Sequence, residues 1–244
     1  MINNASNNEK KERSEFVQLF KDCPIPEDQI LNNIGLFTRR QVLSRILMLN
    51  DIYKKILNIQ GIICEFGVHW GQSLALFESL RGMYEPYNYS RKIVGFDTFE
   101  GFPEIHEKDG SSKVAIKGEY STTKDYELYL EDVLRFHESE SPVSHIKKFE
   151  LVKGDACLTV PEYLKRNPET IIAFAYFDFD IYKPTKICLE SILPHLTKGA
   201  VIGFDELNCH DFPGETAAFR EVFGNRFKIH RDINNPIPSY IIWE

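Results

Sequence analysis

The stretch Glu65-Phe66-Gly67-Val68-His69-Trp70-Gly71-Gln72-Ser73 decides the fold. It closes the apolar run 62–66, which suits a strand buried on both faces of a parallel sheet, and opens a helical pattern over 71–80. A strand, a glycine turn and a helix in that order form the first half of a βαβ unit, and the same alternation continues downstream. Strands are expected over 93–96 ending at Asp97, over 149–152 before Gly154-Asp155, over 171–177 ending at Asp178, and over 201–204 ending at Asp205. Helices are expected over 125–137, from a first turn containing Pro161 to Lys165, and from Pro184 onward. Two late apolar runs, 227–229 and 240–243, flank Asn234-Asn235-Pro236 and Pro238. That connection is too short for a helical crossover, so the last two strands should pair antiparallel. The sum is an α/β fold with five strands alternating with helices and a closing antiparallel pair on a mainly parallel sheet.

Upstream, Val42, Ile46, Leu49, Ile52, Tyr53 and Ile56 follow helical spacing over 37–57, and Gly61 ends that helix. Residues 1–15, rich in Asn, Lys, Glu and Ser, are expected to form a mobile polar tail, and 16–60 a helical segment before the main domain at 61–244. Within that domain the long polar stretch 103–123, punctuated by Gly110 and Gly118, is expected to form a mobile lid.

With 244 residues there is room for one full α/β domain and its core, and little for a second. A net charge of −7, with only short basic pairs such as Arg39-Arg40 and Lys147-Lys148, argues against a nucleic-acid partner. No apolar run is long enough to span a bilayer, and the start Met1-Ile2-Asn3-Asn4 is too polar for a signal peptide. Five cysteines without paired metal spacing fit reduced thiols, so a cytoplasmic protein is expected. A homo-oligomer is expected as well.

In open parallel sheets, ligands bind beyond the carboxyl ends of the strands, near the point where strand order reverses. Asp97, Asp155, Asp178 and Asp205 all fall at such ends. Gly67 and Gly71 let the backbone turn tightly and approach a ligand. The dinucleotide fingerprint, with glycines two and then three residues apart, is absent. An acid two residues before the first glycine, with another glycine four further on, is instead the pattern of S-adenosylmethionine sites. Asp97 can accept both hydroxyls of a ribose, and Asp155 can bind the exocyclic amine of an adenine. Each can equally cap the helix that follows, and Glu65 can serve a salt bridge. Candidate cofactor-binding residues are therefore Glu65, Gly67, Val68, Gly71, Ser73, Asp97, Thr98, Phe99, Asp155, Ala156 and Asp178.

Together Glu65-Phe66-Gly67-Val68, Asp97-Thr98-Phe99-Glu100-Gly101-Phe102-Pro103, Asp178-Phe179-Asp180-Ile181-Tyr182-Lys183-Pro184-Thr185 and Asp205-Glu206 resemble the macrocin O-methyltransferase family. The stretches 198–207 and 212–215 are similar to its calicheamicin-pathway sugar methyltransferase branch. The resemblance runs from about Phe37 to the C-terminus. It implies a class I methyltransferase (Rossmann-like) fold: a seven-stranded, mainly parallel sheet with an antiparallel last strand, plus N-terminal helices. It also implies methyl transfer from S-adenosylmethionine to a hydroxyl of a sugar-containing small molecule, with a magnesium ion on Asp178, Asp205 and Glu206. The family more often has Asp where this chain has Glu206.

The physical case for a metal is separate. A sugar hydroxyl is a poor nucleophile at neutral pH, and coordination to a divalent cation lowers its pKa and fixes its direction. Converging carboxylates repel one another, which a cation relieves, although these acids can also cap helices or bind lysines. Asp180 and His210, with Asp178, are the candidate catalytic groups, and Asp180 or His210 would take the hydroxyl proton. Tyr182 and Phe99 read as core residues. Three other readings compete: a nicotinamide oxidoreductase, a methyltransferase-like binding module without activity, and a metal-dependent hydrolase. The first lacks its glycine spacing, the second leaves the acids without a task, and the third leaves 65–71 without one.

Overall fold

The structure, a computed structural model, describes residues 5–244. The chain divides into two units, Met1–Ile46 and Leu47–Glu244. In the first unit, α1 spans Asn7–Lys21 and α2 Glu27–Ile30, followed by a 3-10 turn over Leu31–Phe37. The expected polar tail is thus largely helical over its described part, its first four residues lying outside the described ones. Ser6 and Glu9 form a reciprocal capping box that starts α1 where composition alone reads as coil. Phe20 packs edge-on against Phe37 at 4.8 Å within this unit.

The division between units falls inside α3 (Arg40–Lys55), whose second half supplies Met48, Leu49, Ile52 and Tyr53 to the core of the larger unit. That unit continues with β1 (Ile62–Phe66), α4 (Gln72–Tyr84), β2 (Ile93–Asp97), α5 (Tyr126–Ser139), β3 (Phe149–Lys153) and α6 (Ala156–Arg166). It closes with β4 (Ile172–Phe177), α7 (Tyr182–Ile192), β5 (Leu196–Phe204), α8 (Pro213–Phe223), β6 (His230–Arg231) and β7 (Ser239–Ile242). The seven strands lie in the order β3-β2-β1-β4-β5-β7-β6. All neighbours from β3 to β5 pair parallel, while β7 runs antiparallel to both β5 and β6. This is the class I methyltransferase order, with the reversal between β1 and β4.

Two expectations need correcting. The sixth strand is His230–Arg231 rather than 227–229, because Phe227 stacks on Trp243 at 5.3 Å instead of pairing. The helix holding Pro161 begins at Ala156, since the Asp155 side chain caps it by accepting from the Cys157 amide at 2.9 Å. Pro161 therefore sits beyond the first turn.

Both faces of the sheet are covered, which is why its strands are nearly all apolar. One layer joins α3, α4 and α5 through Leu49, Phe77, Leu130 and Phe174, and the other joins α6, α7 and α8 through Val160, Leu189, Phe204 and Phe219. Backbone bonds beyond the strands keep their carboxyl ends level: Gly67 N donates to Phe96 O (2.9 Å), Asp178 N to Phe66 O (2.8 Å) and Asp205 N to Phe177 O (2.9 Å). No helix among the described residues is long and apolar enough to cross a membrane.

At the opposite side of this layer, a buried charge group joins α4, α5 and β3. Arg81 donates to Glu138 Oε1 (3.2 Å) and to the Lys148 carbonyl (3.0 Å), and Lys148 pairs with Glu138. Glu78, one turn away on α4, is fully buried, and neither carboxylate oxygen has a hydrogen-bond partner. Burial pushes its carboxyl up to about 8 from an ordinary 4.5, against the pull of Arg81. A raised folded-state pKa means the native state holds the proton more tightly. Its contribution to stability is present in acid and is lost as pH rises from about 4.5 to about 8. Glu78→Gln, which imitates the protonated form, should therefore gain on the parent by a few kcal/mol between about pH 5 and about pH 9 in urea unfolding. Parallel pH curves for the two proteins would show that Glu78 does not titrate on folding.

Candidate active site

The site forms where the strand order reverses. Gly67 has φ +95°, and a Cβ there would lie 2.1 Å from the Asp178 carbonyl oxygen, so only glycine lets the first turn pass this close to the end of β4. Gly71, in the left-handed region at φ +75°, starts α4. Glu65 is buried on β1 between Gly95 and Tyr176, and Ser73 is buried in the first turn of α4.

Asp97 braces this turn. Its Oδ2 accepts the amides of Val68 (2.6 Å) and His69 (2.8 Å), and its Oδ1 accepts that of Phe99 (2.6 Å). A carboxylate offers about four acceptor positions, so the three amides leave acceptor capacity on Asp97 for a ligand. Thr98 shapes the next turn, donating to the Gly101 carbonyl (2.8 Å) and accepting from Glu100 N (3.1 Å). Phe99 is buried, as the core reading expected, and so is Tyr182. At the end of β3, the capping alternative is realised for Asp155, with Ala156 buried behind it.

The acids after β4 and β5 converge. Asp180 is 9% exposed with φ +63°, and its carboxyl is held well above the usual carboxylate range, first by burial and then by Asp178, Glu206 and Asp205. Tyr176 on β4 donates its hydroxyl to Asp205 Oδ1. Tyr120, from 103–123, packs against His69, Phe102 and Phe212, its phenol pushed up by burial and by the charges of Asp180, Glu119, Glu206 and Asp178. His210, the other candidate base, is not brought in. Its imidazole is fully exposed on the loop before α8, with Nδ1 3.8 Å from Asp211.

Segment 103–123 is held at its base and its tip. Glu100 bridges to Ser121, Gly118 N donates to Phe102 O (2.9 Å), and Phe102 N donates to Glu119 O (3.1 Å). A 3-10 turn, Glu107–Asp109, carries buried Asp109, whose Oδ1 accepts the Tyr182 amide (2.6 Å) at the start of α7. Lys108 then pairs with Glu221 on α8. The segment expected to be a mobile lid thus carries local order at several points along its length.

The donor chemistry of Asp178, Asp205 and Glu206 fits a hard cation: all are carboxylates, and the side chains that act most strongly on neighbouring Asp180 are acids. Among the described residues, no group of three or more His, Cys, Asp or Glu is arranged so that it could hold a metal ion as it stands. The set is a convergence of oxygen donors rather than a formed cage.

No family model matches the chain, and the search of curated proteins finds no match. Solved structures do match. The crystal structure of CalS11, a calicheamicin methyltransferase, superposes with a TM-score of 0.96 at 41% identity, covering 99% of this chain and 95% of that one. The chain belongs to the CalS11 family of O-methyltransferases. An apo structure of CalS11, described as a TDP-rhamnose 3'-O-methyltransferase in calicheamicin biosynthesis, matches at 38% identity and a TM-score of 0.87, covering 99% and 97%. The O-methyltransferase NovP shares the fold alone, at 16% identity and a TM-score of 0.61 over 82% of this chain and 79% of that one.

As a member of the CalS11 family, the chain is a class I, S-adenosylmethionine-dependent O-methyltransferase. Within its site, three residues escaped the sequence reading: Tyr176, Tyr120 and Glu215. Tyr176 sits in an apolar strand, Tyr120 in a polar loop, and Glu215 in the first turn of a helix, where an acid ordinarily answers the helix dipole. Asp97→Ala should lower the unfolding free energy by about 1.5–3 kcal/mol through loss of charge-assisted bonds, and should weaken binding of S-adenosylhomocysteine. Denaturant unfolding and calorimetry check both, and unchanged values would remove the brace from the account.

Proposed function

We propose that the chain transfers the methyl of S-adenosylmethionine to a ring hydroxyl of a deoxysugar carried on a nucleoside diphosphate, with help from a divalent cation. Relatives at 41% and 38% identity over nearly the whole chain support the sugar acceptor, one of them described as acting on TDP-rhamnose. The observation that carries the cation is the crowding of Asp178, Asp180, Asp205 and Glu206 at adjacent strand ends.

On this reading the turn from Gly67 to Gly71 carries the cofactor, with Asp97 holding that turn and Asp155 at the adenine end. In-line attack on a sulfonium methyl needs little beyond alignment, so most of the rate is expected from positioning. Magnesium on Asp178, Asp205 and Glu206 would lower the pKa of a coordinated hydroxyl. Asp180, buried beside Asp178, Asp205 and Glu206, is placed to receive the hydroxyl proton at its carboxylate once a cation offsets the charge of its neighbours.

Incubation with S-adenosylmethionine and a panel of nucleotide sugars, read by mass, should give a gain of one methyl on a deoxyhexose nucleotide. No gain on any nucleotide sugar, with gain on a finished glycoside, would move the acceptor assignment. Chelator should abolish turnover while leaving S-adenosylhomocysteine affinity largely intact. Asp205→Asn should cut activity far more than stability, and Glu206→Asp should keep cation-dependent activity. Full turnover in excess chelator, with the protein confirmed metal-free, would remove the cation and leave Asp180 as the principal base.

A further inference from the structure

Glu215 is an acid of the larger unit that neither the strand ends nor the glycine turn accounts for. It lies in the first turn of α8, is 0% exposed, and is packed so tightly at its approach that a Cβ on neighbouring Gly214 would fall 2.0 Å from Asp109 Oδ1. Its Oε1 accepts the backbone amide of Glu206 at 2.9 Å. Its Oε2 is buried and has no hydrogen-bond partner. The side-chain charges it faces are those of Asp180, Asp205 and Asp178.

A helix-capping acid keeps its oxygens on backbone amides, and a structural acid in a core commonly has a base nearby, as Glu78 has Arg81. Glu215 does neither with its second oxygen. Leaving a carboxylate oxygen buried and unsatisfied beside three other carboxylates costs stability unless something positive or hydrogen-donating enters the group. The residue whose amide it holds is Glu206, one of the three cation-donor candidates. A methylene longer than the aspartate common in the family, Glu206 has more freedom to lose.

We propose that Glu215 is an outer carboxylate of the divalent-cation site: one oxygen fixes the backbone of Glu206, and the other, unpartnered, would add its charge to that of the donors when a cation is bound. This rests on the cation reading above. The residue is a positioning group, acting through Glu206 and through the charge of the site. Outer-shell partners of metal ligands commonly matter 10–100-fold in affinity, which sets the scale.

The test is manganese binding to the full chain, followed by electron paramagnetic resonance, for the parent, Glu215→Gln and Glu221→Gln. Glu215→Gln keeps the shape and an acceptor for the Glu206 amide but loses the charge. It should weaken manganese binding about 10–100-fold, with S-adenosylhomocysteine affinity unchanged and the cation-free melting temperature equal to or above the parent's. Glu221, on the same helix and paired with Lys108 and Lys186, should be silent in manganese binding. Manganese affinity in Glu215→Gln within about twofold of the parent would overturn the proposal. So would a melting temperature and a manganese affinity that fall together, the mark of a purely structural role. A parent that takes up no manganese at all would instead overturn the cation reading on which it stands.

Discussion

One carboxylate holds the cofactor end of the molecule together. Asp97, the last residue of β2, accepts amides from Val68 and His69 on the first turn and from Phe99 on the second. Without it, two loops that end on adjacent strands would expose three donors and lose their common shape. A charged acceptor is the strongest way to gather three amides at one point. The turn it braces must also pass within contact of the Asp178 carbonyl, which glycine at 67 permits. The glycine turn and the acid group are thus mechanically joined: β1 and β4 are neighbours, and Gly67 and Asp178 touch.

The acid group is the complementary constraint. Asp178, Asp180, Asp205, Glu206 and Glu215 are brought together by two strand ends and one helix start, with Tyr120 of the excursion from β2 near enough to feel their charge. Such crowding opposes folding through like-charge repulsion and desolvation, so it persists only where the rest of the fold over-determines it. Two well-packed layers on either side of the sheet supply that surplus. Glu78 shows the same trade at a second place, where a buried acid is carried without a partner.

Much of this was legible in the sequence for a physical reason. Strands buried on both faces are continuous apolar runs, so acids such as Asp97, Asp178 and Asp205 stand out at their ends, and the glycine spacing separates this turn from a dinucleotide one. Other features of the fold were not legible, the start of the helix holding Pro161 among them. Composition at 1–15 suggests coil, whereas the Ser6 and Glu9 pair was the signal for α1, and Phe227 looked like a strand residue but packs on Trp243. Within the site, spacing shows that a carboxylate stands at a strand end but not which donors turn toward it. The amides that Asp97 gathers from two loops are therefore seen only in the structure. Glu215 is invisible because an acid in a helix's first turn is ordinary, and only its burial and unpartnered oxygen mark it. His210 illustrates the converse: proximity in sequence to Asp205 did not bring its ring inward.

The central claim is that the braced turn holds a nucleoside sulfonium rather than a dinucleotide. Isothermal titration of the unmodified protein with S-adenosylhomocysteine and, separately, with NAD measures it directly. Saturable binding of S-adenosylhomocysteine at one equivalent per chain, with no heat from NAD, is the result expected from the glycine spacing and the Asp97 brace. Tight binding of NAD with none of S-adenosylhomocysteine would contradict the account at its root.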